Sequence, residues 1–256
     1  MMIKMGEGRV HIGTSGWSYN HWRGLFYPSH LPSRKWFSYY REHFRTVELN
    51  NTFYRLPSPQ TFQAWRRQAA GGFIYAVKAS RFITHIKRLR QPEDALPKFL
   101  ERARLLGETL GPILYQLPPR WQLDLPRLEE FIAALPRDLT HVFEFRDPRW
   151  LCEPVFHLLE ENALGFCIVS LPQFPCPLRA TSKVAYIRLH GSRLLYGSRY
   201  SREELREWAG YITSFLKEGR DVYVYFNNDA FANAVENAKE LRYLVEGVML
   251  KGEEGL

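Results

Sequence analysis

Cysteine is scarce in this sequence, and long apolar runs are absent. The 256 residues include only Cys152, Cys167 and Cys176, an odd set without the paired C-x-x-C spacing of zinc sites or disulfide frameworks. No apolar run approaches the roughly 20 residues of a membrane-spanning helix. The opening segment MMIKMGEGRVHIG lacks the apolar core of a signal peptide. These absences predict reduced thiols, a soluble protein without a membrane partner, and a cytoplasmic localisation.

Acidic residues are fewer than basic ones. Asp and Glu total 27 against 35 for Lys and Arg, which gives a formal net charge of +8. A positive field of this kind favours anionic partners, either small molecules or nucleic acid. Basicity is also an ordinary means of keeping a protein soluble. Charge therefore predicts only the sign of the partner, and the oligomeric state stays open.

Eight short apolar stretches, each ending in polar or charged residues, dominate the rest of the pattern. They span residues 10–17, 46–54, 73–81, 112–119, 141–147, 165–170, 184–191 and 222–229. Helix start signals occur between most of them, such as Ser58-Pro59 and the pair Ser201 and Glu204. Asp229 is predicted to cap a last helix that ends near Gly247.

Regular alternation of strand and helix predicts a parallel α/β sheet. Eight such units in about 250 residues fit a TIM-like (β/α)8 barrel that forms a single domain. An open doubly wound sheet is the alternative. The barrel domain is predicted over residues 10–247, after an N-terminal extension of residues 1–9 and before a C-terminal tail of residues 248–256. One crossover is predicted to be irregular, because residues 171–183, after strand six, are rich in proline.

Side chains two positions apart on a strand share a face, so the polar strand ends can be sorted into groups. The polar residues that this rule places on the interior are Glu48, Asn50, Lys78, Gln116, Glu144, Arg146, Arg188, His190, Tyr225 and Asn227. In barrels of this type the strand C-termini carry the active site. Buried charges also need partners, so the three cations are expected to neutralise the two glutamates and leave a slightly positive mouth. The alternative is an internal salt-bridge network that only fills the barrel.

Several segments are similar to signature blocks of the YecE-like family, also called domain of unknown function 72. The matching blocks are GTSGWSYNHWRGLFYP (13–28), VELNNTFYRLP (47–57), VKASRFITHIKRL (77–89), LGPILYQLPP (110–119), FEFRDPRW (143–150), YIRLHG (186–191) and YVYFNND (223–229). The resemblance implies a TIM-like barrel, similar to metal-dependent endonuclease IV and sugar isomerases, with no settled activity. Members often carry an Asp at the end of the sixth strand, where this chain has Ser170. Any role of that Asp is therefore absent or moved here.

Candidates for moving protons in the mouth are Glu48, Glu144 and His190, because carboxyl and imidazole groups serve as general acids and bases. Candidates for substrate binding carry a positive charge, a hydrogen-bonding group or an aromatic ring near the mouth; they are Trp17, Asn50, Tyr54, Lys78, Arg81, His85, Gln116, Arg146, Arg188, Tyr225 and Asn227. The loop aromatics could stack on bases or sugars, or could equally cap the core. No H-x-H or H-E-x-x-H spacing marks a metal site, so no cofactor is predicted and a divalent metal is an alternative.

The function that these residues favour is an enzyme that acts on an anionic, phosphate-containing substrate or a nucleic acid at the C-terminal face of the barrel. Hydrolysis is the first reaction class to consider, and whether the protein is an enzyme stays open. One alternative is a non-enzymatic nucleic-acid binding protein that uses the basic segment 81–90 and binds with steep salt dependence. The other is a metal-dependent enzyme similar to the endonuclease or to sugar isomerases.

Overall fold

Eight parallel strands form the centre of the computed structural model, which describes residues 8–69 and 71–253. The strands are β1 (Val10–Thr14), β2 (Thr46–Leu49), β3 (Ile74–Lys78), β4 (Leu110–Gln116), β5 (His141–Glu144), β6 (Gly165–Ser170), β7 (Val184–Leu189) and β8 (Asp221–Phe226). Hydrogen-bonded neighbours follow the order β1-β8-β7-β6-β5-β4-β3-β2, and every ladder is parallel. The TIM-like (β/α)8 barrel predicted from the alternation is confirmed.

The ring closes between β1 and β2 at a bridge rather than along a full ladder. Ser15 pairs with Glu48, and the Gly16 amide donates to the Glu48 carbonyl at 2.9 Å. The two strands come close at Gly13, where an added Cβ would lie 2.4 Å from the Thr46 carbonyl oxygen. A larger residue at Gly13 would therefore push β1 and β2 apart. Because the bridge joins the two ends of the strand order, the open doubly wound sheet is wrong.

Helices lie between the strands and after the last one. They are α1 (Trp36–His43), α2 (Asn51–Tyr54), α3 (Pro59–Gln68), α4 (Pro92–Arg104), α5 (Leu125–Ala133), α6 (Glu153–Glu161), α7 (Arg202–Lys217) and α8 (Asn233–Glu253). Residues 171–183, between β6 and β7, contain no helix, which confirms the irregular crossover. Within the described ranges, no helix is long and apolar enough to cross a membrane.

Two of the predicted helix starts are confirmed by their side-chain contacts. Ser58 accepts from the Thr61 amide at 3.4 Å at the start of α3. Ser201 accepts from the Glu204 amide at 3.2 Å, and the Glu204 carboxylate accepts from the Ser201 amide at 2.7 Å, which completes a capping box on α7. Such reciprocal bonds satisfy amide groups that the first helical turn leaves without intrahelical partners.

The start of the last helix differs from the prediction. Asp229 makes no side-chain cap, because residues Ala230–Ala232 form a separate 3-10 turn and α8 begins only at Asn233. Phe231 and Ala232 have φ values of 55° and 59°, which an α-helix does not allow. The carbonyl of Asp229 instead accepts from the Trp22 indole at 3.0 Å.

The same helix also ends later than predicted. It continues through Gly247 to Glu253, because buried residues recur at helical spacing at Leu241, Val245 and Met249. Residues 248–253 of the predicted C-terminal tail are therefore helical. Residues 1–7 of the predicted N-terminal extension and residues 254–256 of the tail lie outside the described residues.

The strands separate two apolar clusters. The outer one packs the helices against side chains such as Val47, Leu49, Phe143 and Phe145, as the strand alternation predicts. The inner cluster fills the barrel, and its buried members are Ala76, Leu114, Val142, Cys167, Val169, Tyr186, Tyr223 and Tyr225. Because the polar strand ends follow these residues on the same face, the polar groups lie directly above a closed apolar interior.

Candidate functional site

One guanidinium group joins two glutamates inside the barrel. Arg188 donates from Nη2 to Glu48 Oε1 at 2.8 Å and from Nη1 to Glu144 Oε2 at 2.7 Å. Both glutamates are 0% exposed and Arg188 is 1% exposed. Although β2 and β5 are far apart in the strand order, their carboxylates meet because both side chains point into the ring. The charge pairing predicted from the sequence is present.

Glu48 is held by two hydroxyl donors in addition to Arg188. Ser15 donates to Oε1, and Tyr186 donates to Oε2 at 2.7 Å. The Asn50 side-chain amide and Arg188 Nη2 donate in turn to the Ser15 hydroxyl, the latter at 3.3 Å. The sequence interpretation did not select Ser15 or Tyr186. Tyr186 could have been found, because it precedes Arg188 by two positions and therefore shares its face.

Glu144 is held by two arginines. Arg188 engages Oε2, while Arg146 donates from Nε to Oε1. Burial alone would raise the pKa of Glu144, but Arg146, Arg188 and Lys78 outweigh it and lower this pKa to about 2. Glu144 is therefore ionised at neutral pH. In this arrangement Glu144 is an ion-pair partner of both arginines.

His190 is buried between Arg146 and Asn227. Its Nε2 lies 3.0 Å from Arg146 Nη2, and its Nδ1 lies 3.0 Å from Asn227 Nδ2. A guanidinium only donates, so Nε2 accepts and the neutral ring carries its proton on Nδ1. Nδ1 can donate to Asn227 only when the Asn227 amide is turned to present its oxygen in place of Nδ2. Burial, followed by repulsion from Arg188, Arg146 and Lys78, lowers the pKa of His190 well below its ordinary value. His190 is a neutral imidazole whose lone pair is already engaged.

Lys78 stands at the end of β3 without a hydrogen-bond acceptor. Its Nζ lies 4.1 Å from the centre of the Phe53 ring, and the described part of the chain gives it no hydrogen bond or ion pair. The residue is 8% exposed. Burial first, and then repulsion from Arg188, lower the pKa of Lys78 to about 7, although Glu144 and Glu48 act in the opposite direction. Amine and ammonium forms are therefore both populated near neutral pH.

The net charge of the cluster depends on this lysine. Glu48 and Glu144 balance Arg146 and Arg188, so these four residues together are neutral. Lys78 adds one positive charge whenever it is protonated. The mouth is therefore slightly positive, as the sequence predicts, but the additional charge titrates near neutral pH.

Other predicted binding residues also lie in or beside the cluster. Gln116 Oε1 accepts from Arg188 Nη1 at 3.4 Å. Tyr225 lies deeper, and its hydroxyl is 2.6 Å from the Thr46 hydroxyl. His85 contacts the ring of Phe53, with 5.0 Å between the ring centres. Burial, with repulsion from neighbouring cations, lowers the pKa of His85 to about 4, so its ring is neutral at neutral pH.

Three predicted binding residues stand apart from the cluster. Trp17 packs against Phe37 of α1 and Trp65 of α3, with ring centres 5.2 and 6.2 Å away, so it contributes to the outer core. Tyr54 is 73% exposed, and Arg81 is also exposed. Trp17 therefore caps the core, whereas Tyr54 and Arg81 lie on the surface outside the cluster.

A cavity of about 870 Å³ opens beside the mouth, between α3 and α4. Its polar lining includes Arg55, Ser58, Ser80, Asp94, Lys98 and Arg102. Ser80 follows Lys78 by two positions, at the point where the strand end turns into the loop. The cavity therefore offers space for a part of a ligand that extends away from the barrel axis.

The described residues contain no group of three or more His, Cys, Asp or Glu side chains placed to hold a metal ion. The two buried carboxylates are engaged by arginine side chains. A cation bound by both Glu48 and Glu144 would have to displace Arg188 from between them.

Ser170, where the resembling family often has Asp, does not face the cluster. Its hydroxyl accepts from Tyr200 at 2.7 Å, and it alternates with the interior residue Val169. The residue at this position therefore supports the loop after β7 in this chain.

Comparisons of sequence show what the chain is similar to. The model of the family described as "Protein of unknown function DUF72" matches residues 11–253. The UPF0759 protein YunF of Bacillus subtilis is 26% identical in an alignment of 280 positions, which covers 93% of this chain and 95% of YunF. The UPF0759 protein YecE of Escherichia coli is 31% identical over 145 residues, 56% of this chain and 51% of YecE.

Comparisons with solved structures also find a member of the DUF72 family. A DUF72 family protein from Thermotoga maritima is 29% identical and superposes with a TM-score of 0.85, covering 93% of this chain and 99% of that protein. A D-psicose 3-epimerase superposes with a TM-score of 0.59 at 10% identity, covering 93% of this chain and 99% of the epimerase chain. The likeness to the epimerase shows a shared barrel fold alone.

Proposed function

This chain belongs to the DUF72 family of proteins of unknown function, and on that premise we propose that it is an enzyme that binds an anionic, phosphate-containing substrate at the C-terminal mouth of the barrel. The observation that carries the proposal is the unpaired Lys78. The neighbouring glutamates and arginines neutralise one another, so an incoming anion meets an ammonium group that has no carboxylate of its own. An anion at this place supplies the missing partner.

Arg146 provides a second contact for the anion. Its Nε and Nη2 are engaged by Glu144 and His190, while its Nη1 makes no hydrogen bond to the described residues. Arg188 is more deeply buried, and its terminal nitrogens are engaged by the two glutamates. The proposal therefore gives Arg188 a positioning role and leaves substrate contact to Arg146 and Lys78.

The proton-moving groups follow from the same geometry. Glu144 stays ionised, and the lone pair of His190 is engaged by Arg146. Lys78 changes its protonation near neutral pH, where a proton-transfer group is most effective. The proposal therefore adds Lys78 to the acid/base candidates. Hydrolysis and cytoplasmic localisation stay predictions from the sequence.

Calorimetric titration with inorganic phosphate, ribose 5-phosphate and neutral ribose tests the proposal. We expect the two phosphate compounds to bind the wild-type protein more tightly than ribose does. Lys78→Met should weaken their binding about tenfold or more, because a charge-assisted contact is lost. Lys183→Met is the matched control, since Lys183 is exposed and precedes β7 at the opposite end of the barrel. Equal affinity of the Lys78→Met variant would contradict the proposal.

Nucleic-acid binding by the same face is a second candidate. Arg81, Arg88 and Arg90 are exposed in the segment after β3, whereas Lys87 in that segment pairs with Asp94 at 2.9 Å. Fluorescence anisotropy with a labelled single-stranded oligonucleotide tests it. Affinity should fall steeply between about 50 and 200 mM salt if several phosphates are contacted. A flat salt dependence would contradict this candidate.

A further inference from the structure

The lysine at the mouth has no ion-pair partner among the described residues, and its surroundings also suit a nucleophilic amine. We propose that Lys78 forms a covalent imine with an aldehyde or ketone group of the substrate. The inference rests on the proposed function, since it names the reactive group of the same anionic ligand.

The first argument concerns which of the three cations, Arg146, Arg188 and Lys78, has a carboxylate that accepts its hydrogen bonds. Arg146 and Arg188 each donate to a buried carboxylate, and Lys78 does not. Every carboxylate oxygen of Glu48 and Glu144 already receives a hydrogen bond from another residue. A buried ammonium group without an acceptor is destabilised, whereas a neutral amine tolerates this position.

The second argument is the way in which the amine is held. The Lys78 carbonyl accepts from the Thr52 hydroxyl at 2.6 Å, and the following amide, of Ala79, donates to the Leu114 carbonyl at 2.8 Å. These bonds fix the backbone at the end of β3. The Phe53 ring covers one side of Nζ at 4.1 Å, and the residue keeps limited access to solvent. Reactive groups presented by a rigid strand end are well oriented for attack.

The chemical step follows from the neutral form of the amine, which the lowered pKa of about 7 makes available at neutral pH. The Nζ lone pair attacks the carbonyl carbon, a C–N bond forms, and the carbonyl π electrons move to oxygen. That oxygen takes the proton released by nitrogen, which gives a carbinolamine. One further proton from solvent then allows the hydroxyl to leave as water. The product is an iminium ion with the same charge as the ammonium form.

Reductive trapping of the full chain tests this step. The protein is incubated near pH 7 with glycolaldehyde phosphate or with glycolaldehyde, in the presence of cyanoborohydride, which transfers hydride to the iminium carbon and leaves a stable secondary amine. Peptide mapping by mass spectrometry locates the adduct. We expect Lys78 to be labelled at least about tenfold faster than Lys183, because its lowered pKa makes the amine form of Lys78 available near pH 7. The initial rate at Lys78 should rise with pH around a midpoint near 7.

Two variants separate reactivity from folding. Lys78→Arg keeps the charge and should bind phosphate but form no adduct at position 78, whereas Lys183→Arg should be labelled at Lys78 like the wild-type protein. Equal labelling of Lys78 by both aldehydes supports the imine and contradicts the preference for anions. Phosphate binding that depends on Lys78, without an adduct there, overturns the imine and supports the proposed function. Labelling of Lys78 no faster than that of Lys183 also overturns the imine.

Discussion

Replacing Lys78 by methionine is expected to stabilise the protein at neutral pH and to have little effect in alkaline solution. Methionine is of similar length and uncharged, so it removes the buried ammonium group and keeps the packing against Phe53. The expectation follows from the position of the lysine, which is 8% exposed and has no acceptor among the described residues.

The magnitude follows from the difference in proton binding between the folded and unfolded chains. The pKa of Lys78 is lowered from 10.5 to about 7 on folding, chiefly by burial. Between these values the unfolded chain binds a proton that the folded chain does not bind, so wild-type stability rises with pH by about 1.4 kcal/mol per pH unit. Below pH 7 both states are protonated and the full destabilisation remains, at most about 5 kcal/mol. Above pH 10.5 both states are neutral and it disappears.

Denaturant unfolding of wild-type and Lys78→Met protein from about pH 6 to about pH 9.5 measures this difference. The free energy of unfolding of the variant should exceed that of the wild type by about 2 to 5 kcal/mol at the acidic end and should approach it at the alkaline end. Lys183→Met should change the free energy of unfolding only slightly, because Lys183 is exposed. A constant difference for Lys78→Met, or a more stable wild-type protein near pH 6, would refute the reasoning.

Three further predictions concern the buried network and the contact between β1 and β2. Arg188→Met leaves two buried carboxylates without their shared partner. Urea denaturation near pH 7 should show a free energy of unfolding lower by about 3 to 5 kcal/mol. A loss below about 1 kcal/mol would count against the network. Gly13→Ala places a Cβ 2.4 Å from the Thr46 carbonyl oxygen and should destabilise the protein by about 1 to 3 kcal/mol in the same assay. A Gly13→Ala variant as stable as the wild-type protein would contradict the close approach of β1 and β2. His190 should be neutral, with its proton on Nδ1, at pH 6.5 in nitrogen-15 NMR spectra, because its pKa lies well below the ordinary value; a titration midpoint near 6.5 would contradict its burial among cations.

Local strand geometry explains why the inward faces could be predicted from the sequence. Alternation of side chains is a property of each strand alone, so the common face of Glu144 and Arg146, opposite Phe143 and Phe145, follows without knowledge of the tertiary fold. The same rule would have added Tyr186 to the site. Cap signals at Ser201 and Ser58 are equally local, which is why these helix starts are confirmed.

Contacts across the ring could not be predicted in the same way. Whether one guanidinium reaches both Glu48 and Glu144 depends on the width of the closed barrel, which the sequence of one strand does not encode. The start of α8 is similar, because the contact between Asp229 and Trp22 joins segments far apart in the chain. Trp17 was a binding candidate by its place after β1, and only the packing of α1 and α3 places its ring in the outer core.

The two roles proposed for Lys78 require different protonation states of one atom. An anion beside Nζ favours the ammonium form, and so it would suppress attack on a carbonyl. A substrate that carries both groups must therefore place its phosphate at Arg146, whose Nη1 is free of hydrogen bonds within the described residues, and its carbonyl at Lys78. Inorganic phosphate bound beside Nζ should then compete with reductive trapping, and an Arg146→Met variant should lose the advantage of glycolaldehyde phosphate over glycolaldehyde while keeping the reactive amine. Lys78 ends β3 and Arg146 follows β5, so the two contacts would come from different strands. The chemistry of the site would then depend on how the cations and carboxylates of the barrel balance, and not on one isolated residue.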